Sequence, residues 1–287
     1  MNTAVVATTS MSNPFFKFQQ FIVRHDRCAM KVGTDGVLLG AWAEPAVSIQ
    51  PSAFSILDVG TGSGLVALML AQRFPQAHID AIDIDKSAIE QAAENFAASP
   101  WSDRLHTFHA RFQDWQSHSV PSLERVKSSA RSDARWSSVE QPREGFYSLI
   151  VSNPPYFQNS LKNPDKSRQT ARHTDTLTYS ELLQHSARLL SPEGTVALIL
   201  PAEAETEACE LARMAGLLPA RITHVYSKEN KPARRVLLAF VKPKYRYTDI
   251  STYRDSGNPV SEDNLVLENE TGGRTAAYQE ITKDFYL

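Results

Sequence analysis

The chain has 287 residues, enough to bury one large core with appendages to spare. Hydrophobic residues make up 42% and charged ones 22%, as in soluble enzymes, and a net charge of −2 excludes a protein that coats nucleic acid through bulk charge, leaving room for a local basic patch. Cys28 and Cys209 have neither metal-ligand nor disulfide-framework spacing, so a cytoplasmic location is expected, and no apolar run reaches the roughly 18 residues of a membrane span.

Residues 1–14 have no basic start and only a brief apolar run, so they read as a disordered N-terminus and not a signal peptide. Residues 15–23 (FFKFQQFIV) interleave aromatic and polar side chains and predict a strand or hairpin arm. In Lys31-Val32-Gly33-Thr34-Asp35-Gly36, Thr34 or Asp35 is placed to cap a helix over the apolar run 37–42. Residues 15–54 are thus expected to form a hairpin and a cap ahead of the main domain.

From Ser55 strands alternate with helices, the pattern of a parallel α/β sheet. Strands are predicted at 56–59, 78–83, 105–110 and 147–152, with helices at 65–73 and 86–98, the second behind Asp85 as N-cap. A helix near 179–190, a strand at 195–200 and a helix at 203–215 follow. Two strands near 221–226 and 236–241 are close enough to pair antiparallel, which completes a domain over 55–243. Residues 117–145, rich in Ser, Arg and Glu, and 244–263, polar and somewhat acidic, read as mobile surface insertions. Order is expected to return at Asn264-Leu265-Val266-Leu267 and at 278–287, where Phe285, Tyr286 and Leu287 predict that the segment 264–287 docks on the domain.

Asp58-Val59-Gly60-Thr61-Gly62-Ser63-Gly64 lies between a predicted strand and a predicted helix. Glycines there allow a sharp turn and close approach of a ligand, and Asp83 closes the next strand at a distance suited to ribose hydroxyls. A nucleotide-type cofactor is one reading; a tight strand-to-helix turn beside an ordinary strand-end aspartate is the other. The spacing is G-x-G-x-G with a preceding aspartate, not the G-x-G-x-x-G of nicotinamide sites. It resembles the first motif of the class I methyltransferases. The resemblance implies a Rossmann-like α/β fold, with a doubly wound, mostly parallel seven-stranded sheet and an antiparallel edge pair. It also implies S-adenosylmethionine as cofactor, held by Asp58, Gly60, Gly62 and Gly64 at its methionine part and by Asp83 at the ribose. Asp114, in Arg111-Phe112-Gln113-Asp114-Trp115, stands where the family places an acid beside the adenine amino group; by itself it reads equally as a solvated loop aspartate.

After the fourth strand of this domain comes Asn153-Pro154-Pro155-Tyr156. Two prolines neither continue a strand nor enter a helix interior, so the chain leaves the sheet as a stiff loop beside the glycine loop. An exocyclic amine shares its lone pair with its ring and is a poor nucleophile. Acceptors at the Asn153 amide oxygen and the Pro154 carbonyl orient such an NH2 group and favour the pyramidal geometry of in-line attack. Tyr156 offers a stacking face. With a sulfonium as leaving group no metal is required. The bland alternative is a proline-rich exit turn with a packed tyrosine. The whole arrangement resembles the amino-methyltransferases, which act on adenine N6, cytosine N4, guanine N2 or a glutamine amide.

The flanks narrow that choice. The run from Asp26 to Trp42, the motif itself followed by Ala171-Arg172-His173, the segment Lys231-Pro232-Ala233-Arg234-Arg235-Val236 and the ending Phe285-Tyr286-Leu287 resemble the bacterial tRNA1(Val) adenine-N6 methyltransferases over most of the chain. This implies a tRNA anticodon loop as substrate, methylated on the adenosine 3′ of the anticodon; the sequence does not give the oligomeric state, and a monomer is assumed. It further implies Lys31 and Thr34 over the cofactor. Arg172, His173, Lys231, Arg234 and Arg235 are the candidate RNA contacts. A glutamine or ribosomal guanine methyltransferase and a non-catalytic nucleotide- or RNA-binding module are the competing readings.

Overall fold

The computed structural model describes residues 13–28, 30–45, 54–115, 146–155, 177–243 and 260–286. The expected disordered N-terminus falls outside them except for Asn13 and Pro14, as do the insertion 117–145 and most of 244–263. A hairpin of β1 (Phe15–Lys17) and β2 (Ile22–Arg24) leads to α1 (Thr34–Trp42). The alternating region runs β3 (Phe54–Val59), α2 (Leu65–Arg73), β4 (Ala77–Asp83), α3 (Lys86–Ala97), β5 (Leu105–His109) and β6 (Tyr147–Ser152). Then come α4 (Tyr179–Leu189), β7 (Leu190–Pro201), α5 (Glu205–Met214), β8 (Leu218–Lys228), β9 (Ala233–Val241), β10 (Ser261–Glu268) and α6 (Ala276–Thr282).

β3 to β10 form one sheet in the order β10-β8-β9-β7-β6-β3-β4-β5. β9 runs against both of its neighbours, and every other pairing is parallel. The doubly wound sheet and its antiparallel pair are as the sequence predicts, with one correction. The pair is not at the edge, because β10 adds an eighth strand outside β8, starting at Ser261. Residues 261–264 are exposed, and an edge strand needs backbone pairing more than apolar side chains, so the acidic composition there hides the strand. The strand order reverses between β3 and β6, and a ligand crevice is expected at the carboxyl ends of those strands.

Helices cover both faces of the sheet. α1, α2, α3 and α6 pack on one, sharing Ile56, Ile79, Leu149 and Ile199 of the strands. α4 and α5 pack on the other, against Leu57, Ile150, Leu198 and Phe240. α2 is buried from Leu65 to Ala71 because an apolar run fills the space between the sheet and α1. α1 comes close to α2 through Gly36 and Gly40, where an added Cβ would stand 2.9 Å from Leu65 and 2.7 Å from Met69. Asp85 caps α3 by accepting from the Ser87 N–H, as expected. At α1 the expectation fails: Gly33 is the N-cap, with no side-chain cap, and Thr34 is already helical. Asp35 instead accepts from Arg235 Nε of β9 at 2.9 Å, which ties the cap to the sheet.

The C-terminal segment docks on the hairpin. Phe285 is buried, its carbonyl accepts from the Gln19 N–H at 2.9 Å, and Tyr286 stacks on Phe18. Leu287 lies outside the described residues.

Candidate active site

The cleft is built where β3 and β6 end side by side. The Gly60 and Thr61 N–H groups both donate to the Ile82 carbonyl of β4, which folds the glycine loop back over the sheet edge. Gly60 and Gly62 take left-handed backbone angles (φ 71° and 56°), and a Cβ on either would meet nothing within 4 Å. The loop therefore presents bare backbone to open space. Asp83, at the end of β4, accepts from the Gly62 N–H through Oδ2 and from the Asp85 N–H through Oδ1, both at 2.9 Å. Each oxygen keeps a lone pair for another donor while the carboxylate is held in one orientation.

β6 joins the cleft through Ser152, whose hydroxyl donates to the Val59 carbonyl at 2.8 Å. That bond brings Asn153, Pro154 and Pro155 onto the wall of a cavity of about 340 Å3, shared with Gly60, Gly62 and Asp83. This falls in the range of small-molecule sites. The Asn153 Oδ1 atom is buried and has no hydrogen-bond partner among the described residues. An unmet buried acceptor is costly, and the residue that carries it belongs to the cavity wall, which fits a ligand N–H. Apolar surface comes from Ile82, Ile84 and Phe112, and Ile84 is 47% exposed there. The bare glycine backbone, the held acid and the apolar walls together fit a nucleoside-bearing cofactor such as S-adenosylmethionine.

Behind the loop stands Asp58, only 1% exposed. Its Oδ2 accepts from the Thr61 hydroxyl at 2.7 Å and from the Ala67 N–H of α2 at 3.2 Å. Burial pushes its carboxyl up to about 7, those two bonds pull it back in part, and the nearby Asp83 charge raises it further. Cys28 also lines the cavity; burial, then Asp83 and Asp85, push its thiol up to about 11, so it stays protonated and is a poor nucleophile.

A family model described as a methyltransferase domain matches residues 56–129. Curated relatives match nearly the whole chain. The tRNA1(Val) (adenine(37)-N6)-methyltransferase of Parabacteroides distasonis is 42% identical over 280 residues, 96% of this chain and 99% of its own length. Those of Bacteroides fragilis and Christiangramia forsetii are 41% and 40% identical over 277 residues, with the same coverage. The chain belongs to the tRNA1(Val) (adenine(37)-N6)-methyltransferase family. Among solved structures, a protein described as a predicted O-methyltransferase, Atu636 from Agrobacterium tumefaciens, superposes with a TM-score of 0.53 at 15% identity, covering 88% of this chain and 96% of that one. That likeness concerns the fold alone.

Of the residues the sequence singles out in this family member, the structure brings Gly60, Gly62, Asp83, Asn153, Pro154 and Pro155 to one cavity. Lys31, Thr34, Asp58, Gly64 and Asp114 are not among the described residues on its wall. The segment expected over the cofactor reaches the wall through Cys28 and Met30. Gly64 faces the Phe96 ring of α3. Asp114 has a side chain 77% exposed, 4.0 Å from Arg111. Arg111, Phe112 and Gln113 line the cavity in its place. The reason is the 3-10 turn Phe112–Asp114, which sends Phe112 and, three residues on, Trp115 into the core and turns Asp114 outward. Arg235 is held by Asp35, whereas Lys231 and Arg234 are exposed. Tyr156, Arg172 and His173 lie outside the described residues.

Proposed function

We propose that this chain transfers the methyl group of S-adenosylmethionine to N6 of adenosine 37 in tRNA1(Val), the reaction for which its relatives are named. The observation that carries the reading is that Asn153, a residue of the cavity wall one strand away from the open glycine loop, holds a buried Oδ1 with no partner among the described residues. In this reading Gly60 and Gly62 would hold the methionine part of the cofactor, Asp83 would accept from its ribose hydroxyls, and Ile84 and Phe112 would supply apolar surface for its adenine. When bound, the cofactor supplies an electrophilic methyl on a sulfonium. Asn153 Oδ1 accepts from the N6 amine of the target base, and the Pro154 carbonyl takes the second N–H. The two acceptors turn the nitrogen lone pair toward the methyl. As the N–C bond forms and the S–CH3 bond breaks, leaving a neutral thioether, the nitrogen becomes an acidic ammonium and releases its proton to water, so no strong base is asked of the protein.

The target nucleotide is extruded from the anticodon loop, at low cost for an unpaired base. Its neighbouring phosphates extend along the carboxyl edge of the sheet. β9 is reversed, so its first residues, with exposed Arg234 and the preceding Lys231, rise at that same edge. They stand two strands from β6, roughly 10 Å sideways at the usual strand spacing. Both are suited to phosphate contacts. Arg235, engaged by Asp35, is assigned to holding the cap.

Incubation with labelled S-adenosylmethionine and either unmodified tRNA or a release factor tests the reading against its glutamine-modifying competitor. Label is expected in the RNA; label in the protein alone would overturn the assignment.

A further inference from the structure

Three side chains of α3 converge on the strand that leaves the hairpin. Gln91 Oε1 accepts from the Arg27 N–H at 3.4 Å, and both Glu94 carboxylate oxygens accept from Arg27 at 2.7 Å. Asn95, 3% exposed, reaches furthest. Its Oδ1 accepts from the Arg24 N–H at 2.9 Å, and its Nδ2 donates to the Arg24 carbonyl at 2.8 Å, so the amide pairs with β2 as a neighbouring strand would. The second N–H of the same Nδ2 donates to the Ser63 carbonyl at 2.8 Å. Both amide protons are therefore spent, one on each of two separate chain segments.

Each of those two segments leads to the wall of the cleft. Four residues beyond Arg24 lies Cys28, then Met30, both on the cavity wall; next to Ser63 lies Gly62, also on the wall. Asn95 itself stands behind the cavity and does not line it. We infer that Asn95 is a positioning residue for cofactor binding: its side-chain amide fixes the segment after the hairpin to the glycine loop and so holds the two parts of the cofactor cleft in alignment. The inference rests on the reading that this cleft takes S-adenosylmethionine. No other side chain of that size fits the role. An aspartate turns lone pairs toward two carbonyl oxygens, and an alanine removes the partner of three backbone groups, that of Ser63 buried and those of Arg24 part-buried.

Without the clip the two segments move independently, and cofactor binds only the fraction of molecules in which they are aligned. Asn95→Ala and Asn95→Asp are compared with wild type and with Leu265→Ala, a core truncation in β10 that serves as a stability control. Calorimetric affinity for S-adenosylmethionine is expected to weaken about tenfold in both Asn95 variants, the loss when only one molecule in ten is aligned. Turnover of tRNA at saturating cofactor stays close to wild type. Amide hydrogen exchange of the free protein speeds up at residues 24–28 and 60–64, while β3, β6 and β7 keep their protection. Leu265→Ala lowers the melting temperature without that pattern. Unchanged cofactor affinity in the Asn95 variants, or a loss no greater than the control shows at equal melting temperature, would overturn the inference. If wild type itself bound no S-adenosylmethionine, the proposed function would fail, and the exchange measurement would still judge the clip: unchanged protection at both segments refutes it.

Discussion

The three glycines of the loop look alike in the sequence, and the structure gives them different work. Gly64 has φ 81°, and a Cβ on it would stand 2.5 Å from Cε1 and 3.0 Å from Cζ of Phe96, a ring only 3% exposed, and 3.3 Å from Ala92. Gly64→Ala therefore carries a left-handed backbone penalty of about 1–2 kcal/mol and an overpacking penalty of about 1–3 kcal/mol, together about 2–5 kcal/mol. For a chain of this size each kcal/mol is worth about 2–4 °C, so a fall of at least ~4 °C in melting temperature is expected. Gly62→Ala meets only the backbone penalty, since its Cβ enters open space, but it does so on the cavity wall. It should lose little stability and much cofactor affinity. Thermal unfolding and calorimetric titration with S-adenosylmethionine, run on both variants, read the two effects separately. Loss of affinity in folded Gly64→Ala with an unchanged melting temperature, or normal binding by Gly62→Ala, would refute this division of roles.

Two further outcomes follow from the geometry. The Asp58 carboxyl is held up to about 7 in the folded chain, against about 3.9 when unfolded. Between those values the folded state keeps a proton that the unfolded state has lost. Its contribution to stability is thus full below about pH 4 and is lost as pH rises to about 7, by up to ~1.4 kcal/mol per pH unit. Asp58→Asn preserves an acceptor for Thr61 and Ala67, so urea unfolding between pH 5 and pH 7.5 should show a flatter dependence than wild type; an equal slope would contradict the assignment. Replacing Lys231 and Arg234 by Glu should raise the KM for tRNA and make its salt dependence shallower, with cofactor affinity unchanged. An unaltered salt slope in steady-state kinetics would place the RNA elsewhere.

The parts of the site that depend on local chemistry are legible in the sequence. Gly60 and Gly62 lie just beyond β3, Asp83 ends β4 and Asn153 follows β6, and a doubly wound sheet collects strand ends at one crevice. The parts that depend on side-chain direction are not. Asp58 and Asp114 are both acids beside the expected cofactor, yet one braces the loop from behind and the other faces solvent. Sequence spacing carries no sign for that choice; in the 3-10 turn, core burial of Phe112 and Trp115 decides it. Phe112 could have been found as the apolar residue of that turn. Asn95 could not, because its partners Arg24 and Ser63 lie 71 and 32 residues away and use backbone atoms that leave no trace in composition. β10 was half legible: Leu265 is buried and signals a strand, while the exposed residues before it do not.

The central claim is that Asn153 orients an adenine amine for methylation, and nucleoside-resolved mass spectrometry of tRNA1(Val) treated with the purified chain and labelled S-adenosylmethionine tests it most directly. The expected result is N6-methyladenosine at position 37 with wild type. Asn153→Ala should form it about 100- to 1,000-fold more slowly, with calorimetric cofactor affinity preserved. Label on guanine or cytosine, or a wild-type rate from Asn153→Ala, would contradict the account.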